Sequence, residues 1–563
     1  MFPERRPAAT STVVMLVVLA VLAALPPPAS AEGARALGDT LTVVMRPILP
    51  VPEIVVPGDS FVIEAMAPQS TTGWAVQLVR GATTHPLSVD SATYGSSFER
   101  WFLSVTVPAG IPAETYGLEV TASGGIYDEV DHAVTVRQSI ASDFYFIHIT
   151  DTHLPTNKYY YESGADSDTT EMEDLHAVID DINTINPAFV LLTGDVINEG
   201  ELEEFLDKRY FTRTQRILRR FAVPVFVTAG NHDVGGWDDT PPSDGTARRN
   251  WWKFFGWRYL SDPPSGDGVH TQNYSFDYAG VHFMGIEAYN NYDRWRRSIY
   301  GDDSFTSAQL DWMVDDIGTV SPATPIVAFH HRDFQDQLNL GSLGIDGALS
   351  GHIHYTDGNI GAHPFNLSTE TVCDGSSGSG LRLLFDVPNN GTNSEITATV
   401  DNNQPENFEH GLVRFLVDAS QAPYAVDNGE IVQTIMDGAV ATCYVQVAMP
   451  AYSNTYVTIS PDESSGVDDA IPASLTLLGP AFPNPAGTRA TVAFSLGAPG
   501  HVTASVYDVS GRFVTTLSDG PAVAGPHRIA WDIAGAGDVA SGIYIYRIES
   551  LGKSVSGKMV VVR

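Results

Sequence analysis

Two rhythms of apolar residues run along this chain, and the places where one replaces the other divide it. From about Leu41 to Arg137 apolar and polar residues alternate between turn signals, as in Ser60-Phe-Val-Ile-Glu-Ala and Tyr116-Gly-Leu-Glu-Val-Thr. No helical period appears, so this stretch predicts a small β-sandwich. The rhythm changes at Phe144. Tyr145-Phe-Ile-His-Ile-Thr150 reads as a buried strand. Leu175, Val178, Ile179 and Ile182 then fall at i, i+3, i+4 and i+7, one face of a helix that Pro187 closes. Phe189-Val-Leu-Leu-Thr193 is the next strand, a helical stretch follows from about Glu201 to Phe221, and Val225-Phe-Val-Thr228 is a third strand. Val281 to Ile286, Ile326 to Phe329 and Gly347 to Ser350 read as further strands, with Thr306-x-x-Gln309 as a capping box opening a helix through Trp312. Such βαβ alternation implies a layered α/β domain.

After about Val387 the helical pattern stops. Leu412 to Val417 and Tyr444 to Ala448 suggest a second β domain, a Ser/Asp/Gly-rich linker follows, and the chain from about Leu475 to Arg563 is again all β. The expected division is a β-sandwich over 38–138, an α/β domain over 142–387, a β-sandwich over 388–460, a linker over 461–474 and a last β module over 475–563. At 563 residues the chain is too long for one core.

Composition narrows the function classes. There are 67 acidic residues against 31 basic ones, a net charge of −36. That balance argues against coating DNA or RNA, because phosphate backbones attract basic surfaces. Residues 1–31 read as a secretory signal: Arg5 and Arg6 start it, Val13 to Leu25 form a short apolar run, and Ala29-Ser30-Ala31 is a small-residue cleavage site. The run falls short of the ~20 apolar residues of a membrane span, so an uncleaved anchor is the lesser alternative. Cys373 and Cys443 are the two cysteines of an exported chain; whether they pair is open.

Five short motifs carry the chemistry: Asp151-Thr-His153, Gly194-Asp195, Gly230-Asn231-His232-Asp233, His330-His331 and Gly351-His352-Ile-His354. Nearly all follow a strand end, where open α/β sheets place their sites. Asp and Asn offer oxygen and neutral His offers nitrogen. This mixed set suits Fe, Mn, Zn or Co better than Ca or Mg. A lone Asp in a Gly-Asp turn can bridge two cations ~3.5–4 Å apart, and Asp195 fits that role. A lone His in a strand is more often packed or hydrogen-bonded than a ligand, and His148 and His282 are read that way.

The motif series resembles the calcineurin-like metallophosphoesterases, a family that includes purple acid phosphatases and class III phosphodiesterases, over about Phe144 to Val387. The resemblance implies a four-layer α/β/β/α sandwich, here flanked by all-β Ig-like domains, with two divalent or trivalent metal ions at its rim. It implies that one ion takes Asp151, His153 and His354, that the other takes Asn231, His330 and His352, and that Asp195 bridges. A metal-bound hydroxide would attack phosphorus, His232 would protonate the leaving oxygen or steady charge on phosphorus, and Asp233 would orient its neighbours. The family's usual His-x-Pro is here His330-His331-Arg332; the first His is taken as ligand, and His331 as lining the site. Purple acid phosphatases carry an iron-ligating Tyr three residues after the bridging Asp, and this chain has Asn198.

The stretch Arg248-Arg249-Asn-Trp-Trp-Lys-Phe-Phe-Gly-Trp-Arg-Tyr259 and the cluster Arg294-Trp-Arg-Arg297 are basic islands in an acidic chain. One reading is a lid whose Arg248 and Arg249 grip substrate phosphate. The other is a packed helix and hairpin with snorkelling Arg and buried aromatics. Near the end, Phe482-Pro-Asn-Pro485, Val506-Tyr-Asp-Val-Ser-Gly-Arg512, Trp531-Asp532 and Ala540-Ser-Gly-Ile-Tyr544 resemble FlgD-like Ig domains and type IX secretion sorting domains. That resemblance implies contact with secretion machinery or the cell surface. The expected function is a secreted or surface-held dinuclear-metal phosphoesterase acting on a small phosphate mono- or diester. The competing class is a surface adhesion or scaffold protein with a retired catalytic domain, which predicts eroded ligands.

Overall fold

The computed structural model describes residues 43–96, 98–154, 171–198, 200, 209–234, 246–255, 272–288, 304–372, 380–462, 475–477, 481, 483–496, 499–509, 511–523, 525–536, 539–550 and 553–562. The signal segment 1–31, Cys373 with its possible pairing, Phe482, the Arg294–Arg297 cluster and the side chains of Arg248 and Arg249 lie outside the described residues. The chain forms two compact units, Met1–Pro461 and Asp462–Arg563. Among the described residues no helix is long and apolar enough to cross a membrane.

The first unit opens with eight strands between Val44 and Val136. Their alternation is the one seen in the sequence: in Ser60–Ala65, Phe61, Ile63 and Ala65 are buried. The long strand Thr83–Gly95 pairs first with Ala75–Arg80 and then with Arg100–Thr106, with a register shift between Val89 and Ser91. An extra residue at such a point bends the strand, letting one strand serve two parts of the sheet.

The α/β region follows. Strands β1 (Ile147–Ile149), β2 (Val190–Thr193) and β3 (Val225–Thr228) form a parallel sheet in the order β3-β2-β1. Helices α1 (Glu171–Ile185) and α2 (Tyr210–Leu218) connect them. Short α3 (Asn231–Val234) and α4 (Thr246–Phe254) lead into a second sheet. It is built from β4 (Asn273–Tyr278), β5 (Val281–Ile286), β6 (Ile326–His330), β7 (Gly347–Ser350), β8 (Asp357–Gly358) and β9 (Phe365–Ser368), in the order β4-β5-β6-β7-β9-β8. Strands β5, β6, β7 and β9 run parallel. Helices α5 (Ser307–Ile317) and α6 (Leu340–Leu343) flank β6 in sequence.

Alternation along the buried strands sorts the core. Leu191, Phe226, Phe283, Val327 and Phe329 share one core with Phe189, where the rings of Phe189 and Phe283 lie 5.0 Å apart and those of Phe226 and Phe276 stack at 3.6 Å. Val190, Leu192, Val225 and Val227 belong instead with Leu175, Ile179 and Ile182, three residues of the predicted helical stripe. Strand side chains alternate faces, so one run of apolar residues fills two layers. The result is a mixed α/β fold, strand-rich with few helices.

Residues 381–461 form two antiparallel sheets over a core that includes Val400, Val413, Phe415, Val445 and Val457. Ile185 at the end of α1 joins that core, and Tyr145 Oη donates to Ile185 O at 2.5 Å. The second unit is all β: Arg489–Leu496 pairs with Leu475–Leu477 and Gly525–Asp532, and Gly500–Asp508 pairs with Phe513–Ala522 and Gly542–Ser550. Trp531 and Tyr544, both in motifs noted above, meet edge-on at 5.3 Å in its core.

Candidate metal centre

Past the ends of β1 and β2 the two chains keep hydrogen-bonding side by side. Asp151 N donates to Gly194 O at 3.1 Å, His153 N to Asp195 O at 2.9 Å and Leu154 N to Val196 O at 2.9 Å. His153 gathers with Asp151 in one cluster and with Asp195 in another, while Thr152 donates to Val196 O at 2.8 Å. Five clustered residues adopt left-handed backbone: Asp151 (φ 54°), His153 (φ 43°), Asp195 (φ 46°), His352 (φ 74°) and His354 (φ 60°). Non-glycine residues rarely sit there, and such strain gathers at functional sites.

Two glycines allow the close approach. Gly194 (φ 82°) leaves no room for a Cβ, which would lie 2.6 Å from Gly230 N and 2.8 Å from His331 Cγ. A Cβ on Gly230 would strike the backbone and carboxylate of Asp195.

Three groups of side chains converge: Asp151 with His153 and His354; Asp195 with His153 and His232; Asp195 with His331 and His352. Asp195 belongs to two of them. In the first group His153 Nε2 and His354 Nε2 lie 3.2 Å apart, and Asp151 Oδ1 lies 3.2 Å from His354 Nε2. Asp151 Oδ2 is held by Thr150 Oγ1 at 2.7 Å and His352 N at 2.8 Å, which turns Oδ1 toward the histidines. In the other group His331 Nε2 is 3.0 Å from Asp195 Oδ2 and 3.1 Å from Asn231 Oδ1, and His352 Nδ1 is 3.0 Å from Asn231 Oδ1.

The expected ligand His330 lies outside these groups, and its neighbour His331 stands in one of them. His330 ends β6 on the face opposite Val327 and Phe329, and its ring packs edge-on to Phe305 at 5.6 Å. His331 lies one residue past the strand, where His331 O accepts from Gly351 N and His331 Nδ1 meets Thr193 O at 2.7 Å. The sequence showed two adjacent histidines, and only the place where the strand ends decides which turns inward.

His232 is buried, its Nδ1 2.5 Å from Asn198 O, which leaves Nε2 as the ring's other hydrogen-bonding atom. Asp233 accepts from Gly230 N at 2.7 Å, Ile197 N at 2.9 Å and Val196 N at 3.3 Å, tying two motif loops together. His148 and His282 are hydrogen-bonded structural residues: His148 meets Thr369 and Thr193, and His282 meets Asp277 and Asp316. The aromatic helix is packed as its bland reading held, with Trp251 and Phe255 fully buried. Thr371, whose Oγ1 donates to Asp151 O at 2.7 Å, was not foreseen, and nothing around it in the sequence marks it.

The electrostatics suit a cation. Burial pushes His153 down to about 3, and burial with the neighbouring His331 charge does the same for His352, so both stay neutral with a lone pair to give. Burial opposes the charged forms of Asp195 and His331, yet each holds the other: Asp195 lies well below the carboxylate range, and His331 is lifted to about 9 by Asp195 and Asp151. Asp233 is pushed up to about 8 by burial and then by Asp195. The donor set also fits metal on geometry alone. Two imidazole nitrogens and a carboxylate oxygen converge with contacts of 3.2 Å, a nitrogen and oxygen donor set that a cation among them could take as ligands.

Residues 144–356 match the family model of the calcineurin-like phosphoesterases. They form a calcineurin-like phosphoesterase domain. A phosphoesterase hydrolase is what that family implies. Residues 480–562 match the secretion system C-terminal sorting domain, which marks the chain for export and cell-surface attachment. No curated protein matches the chain at a significant level. Among solved structures, purple acid phosphatase PPD1 from yellow lupin is similar at 12% identity and TM-score 0.32, over 61% of this chain and 70% of that one. A dimetal phosphatase from Danio rerio is similar at 13% identity and TM-score 0.31, over 46% of this chain and 96% of that one. PorU from Porphyromonas gingivalis is similar at 17% identity and TM-score 0.17, over 32% of this chain and 20% of its own.

Proposed function

We propose that this chain is an exported phosphoesterase that hydrolyses small phosphate mono- or diesters with two metal ions. The observation that carries the proposal is Asp195, whose carboxylate belongs to two of the three convergent ligand groups. Asp151, His153 and His354 would hold one ion, and Asn231, His331 and His352 the other, with Asp195 shared. A pair of such ions, when bound, makes water nucleophilic near neutral pH and neutralises charge on the phosphoryl oxygens. The N/O donor set suits Fe, Mn, Zn or Co. His232 donates from Nδ1 to Asn198 O, so in its protonated form Nε2 would be the atom that carries a proton to the leaving oxygen. Asp233 positions both loops through three backbone N–H groups. Seven donor residues come together, which is the opposite of the eroded site that a scaffold role requires.

In this reading residues 142–380 make the four-layer α/β/β/α sandwich, the expected boundary at 387 moving back because strand Leu381–Phe385 pairs into the next module, with Ig-like modules at 38–138, 381–461 and 475–563, a linker between the last two and a signal peptide at 1–31. Arg248 and Arg249 remain candidates for substrate phosphate, tested by KM in the double Ala variant.

The test is hydrolysis of p-nitrophenyl phosphate and bis-p-nitrophenyl phosphate by protein reconstituted with Mn, Zn, Fe or Co, alongside Asp195→Ala. Turnover that disappears in the variant supports the reading, and the rate ratio separates monoesterase from diesterase. Turnover of neither ester with any of the four metals, or full activity in Asp195→Ala, refutes it.

A further inference from the structure

A second polar pocket backs the metal centre, and none of the clustered ligands lines it. It encloses about 260 Å³, near the roughly 300 Å³ lower end for ligand pockets. His330 and Arg332, which flank His331, both line it, as does Ile353 between His352 and His354. His330 is only 3% exposed and its Nδ1 has no hydrogen-bond partner. Arg332 Nε is likewise buried and without a partner, and the guanidinium lies 5.8 Å over the Phe334 ring, which itself packs edge-on to His352 at 5.0 Å.

The lining discriminates among ligand classes. Asp333, Asp336 and Asp357 face the pocket, which disfavours a bare anion. Arg332 faces it too, which disfavours a bare cation. Asp333 is already engaged by Gln337 N at 3.0 Å and Leu338 N at 2.9 Å. A hydroxyl both donates and accepts. It can take from Arg332 and Asn366 and give to Asp336 or Asp357. Leu340 and Ala348 supply an apolar wall for C–H groups.

We propose that this pocket binds a hydroxyl-rich small molecule the size of one sugar or polyol. The occupant is either the hydroxylated part of the phosphoester or a free sugar or polyol. The pocket does not require the metal ions, so its test does not either.

The experiment is calorimetric titration of glucose, sorbitol and glycerol into full-length, metal-free protein and into Arg332→Ala and Asn366→Ala, with melting temperatures as a folding control. Saturable binding of at least one probe, weakened about tenfold or more in Arg332→Ala at unchanged melting temperature, is the expected result. No saturable binding of any probe, or equal binding in both variants and the parent, overturns the proposal. With metal-loaded protein, a KM for glucose 6-phosphate that rises in Arg332→Ala while that for p-nitrophenyl phosphate stays constant identifies the occupant as part of the substrate. Free glucose changing the kcat for p-nitrophenyl phosphate identifies a separate effector. Turnover of neither ester refutes the phosphoesterase reading alone, and the metal-free titration still decides the pocket.

Discussion

His331 Nε2 lies 3.0 Å from Asp195 Oδ2, while the neighbouring His330 turns its ring against Phe305. Adjacent histidines thus serve opposite faces of one sheet. Removing His331 should lower metal affinity by more than the roughly 10–100-fold that loss of a ligand's supporting hydrogen bond costs. His330→Ala should keep its metal. Metal content after dialysis against a weak chelator checks both, and the reverse ranking would restore His330 as the ligand.

Gly194 should tolerate nothing larger. Alanine there must hold φ near 82° and place Cβ 2.8 Å from His331 Cγ. Left-handed strain and overpacking together should cost about 3 kcal/mol, with metal binding lost in parallel. Urea unfolding measures the first and metal titration the second.

The capping box at α5 separates two costs. Thr306 Oγ1 accepts from Gln309 N at 3.1 Å, and Gln309 Oε1 accepts from Thr306 N at 2.9 Å. Thr306→Ala should cost about 1 kcal/mol. Gln309 is buried, and its Nε2 also donates to Glu287 O at 2.5 Å and Asn273 Oδ1 at 2.9 Å. Its Ala variant strands those acceptors, so it should lose about 1–3 kcal/mol beyond the cap. Equal losses in urea unfolding would show that the cap is all that Gln309 provides.

A pH effect far from the metal centre follows from His282. Asp316 and then Asp277 hydrogen-bond its ring and raise its pKa above 6.5, against burial. A raised folded pKa means that the protonated form is bound more tightly in the folded chain. Its stabilisation is full below 6.5 and fades as pH rises through the folded value. His282→Asn should therefore lose most stability in acid and least in alkali. Melting curves at about pH 5.5 and about pH 9 test the sign.

The sorting domain occupies 480–562, inside a separate compact unit that begins at Asp462. A chain cut before residue 475 should fold its phosphoesterase domain yet remain inside the cell envelope. Fractionation followed by surface proteolysis reads the outcome, and normal surface display would remove the sorting role.

Strand and helix positions were legible wherever periodicity was strong. The Leu175, Ile179 and Ile182 stripe became the buried face of α1, and Thr306-x-x-Gln309 became a true capping box. The Asp and His motifs were legible because each follows a strand end. What the sequence did not disclose was rotation at a strand's last residue, which brings His331 rather than His330 into the cluster. Support from a distance was also invisible. Thr371 reaches Asp151 across 220 positions, and the Asn198 contribution to His232 is a backbone carbonyl that any residue type would carry.

The left-handed backbone at Asp151, His153, Asp195, His352 and His354 sets a trap for anyone improving this protein. Each such residue costs roughly 1–2 kcal/mol that glycine would not. Replacements at these positions are therefore among the easiest ways to make the metal-free chain more heat-resistant, and each one deletes a donor. A thermostability screen run without an activity selection should enrich robust, inert proteins first, because durability and chemistry compete for the same few dihedral angles.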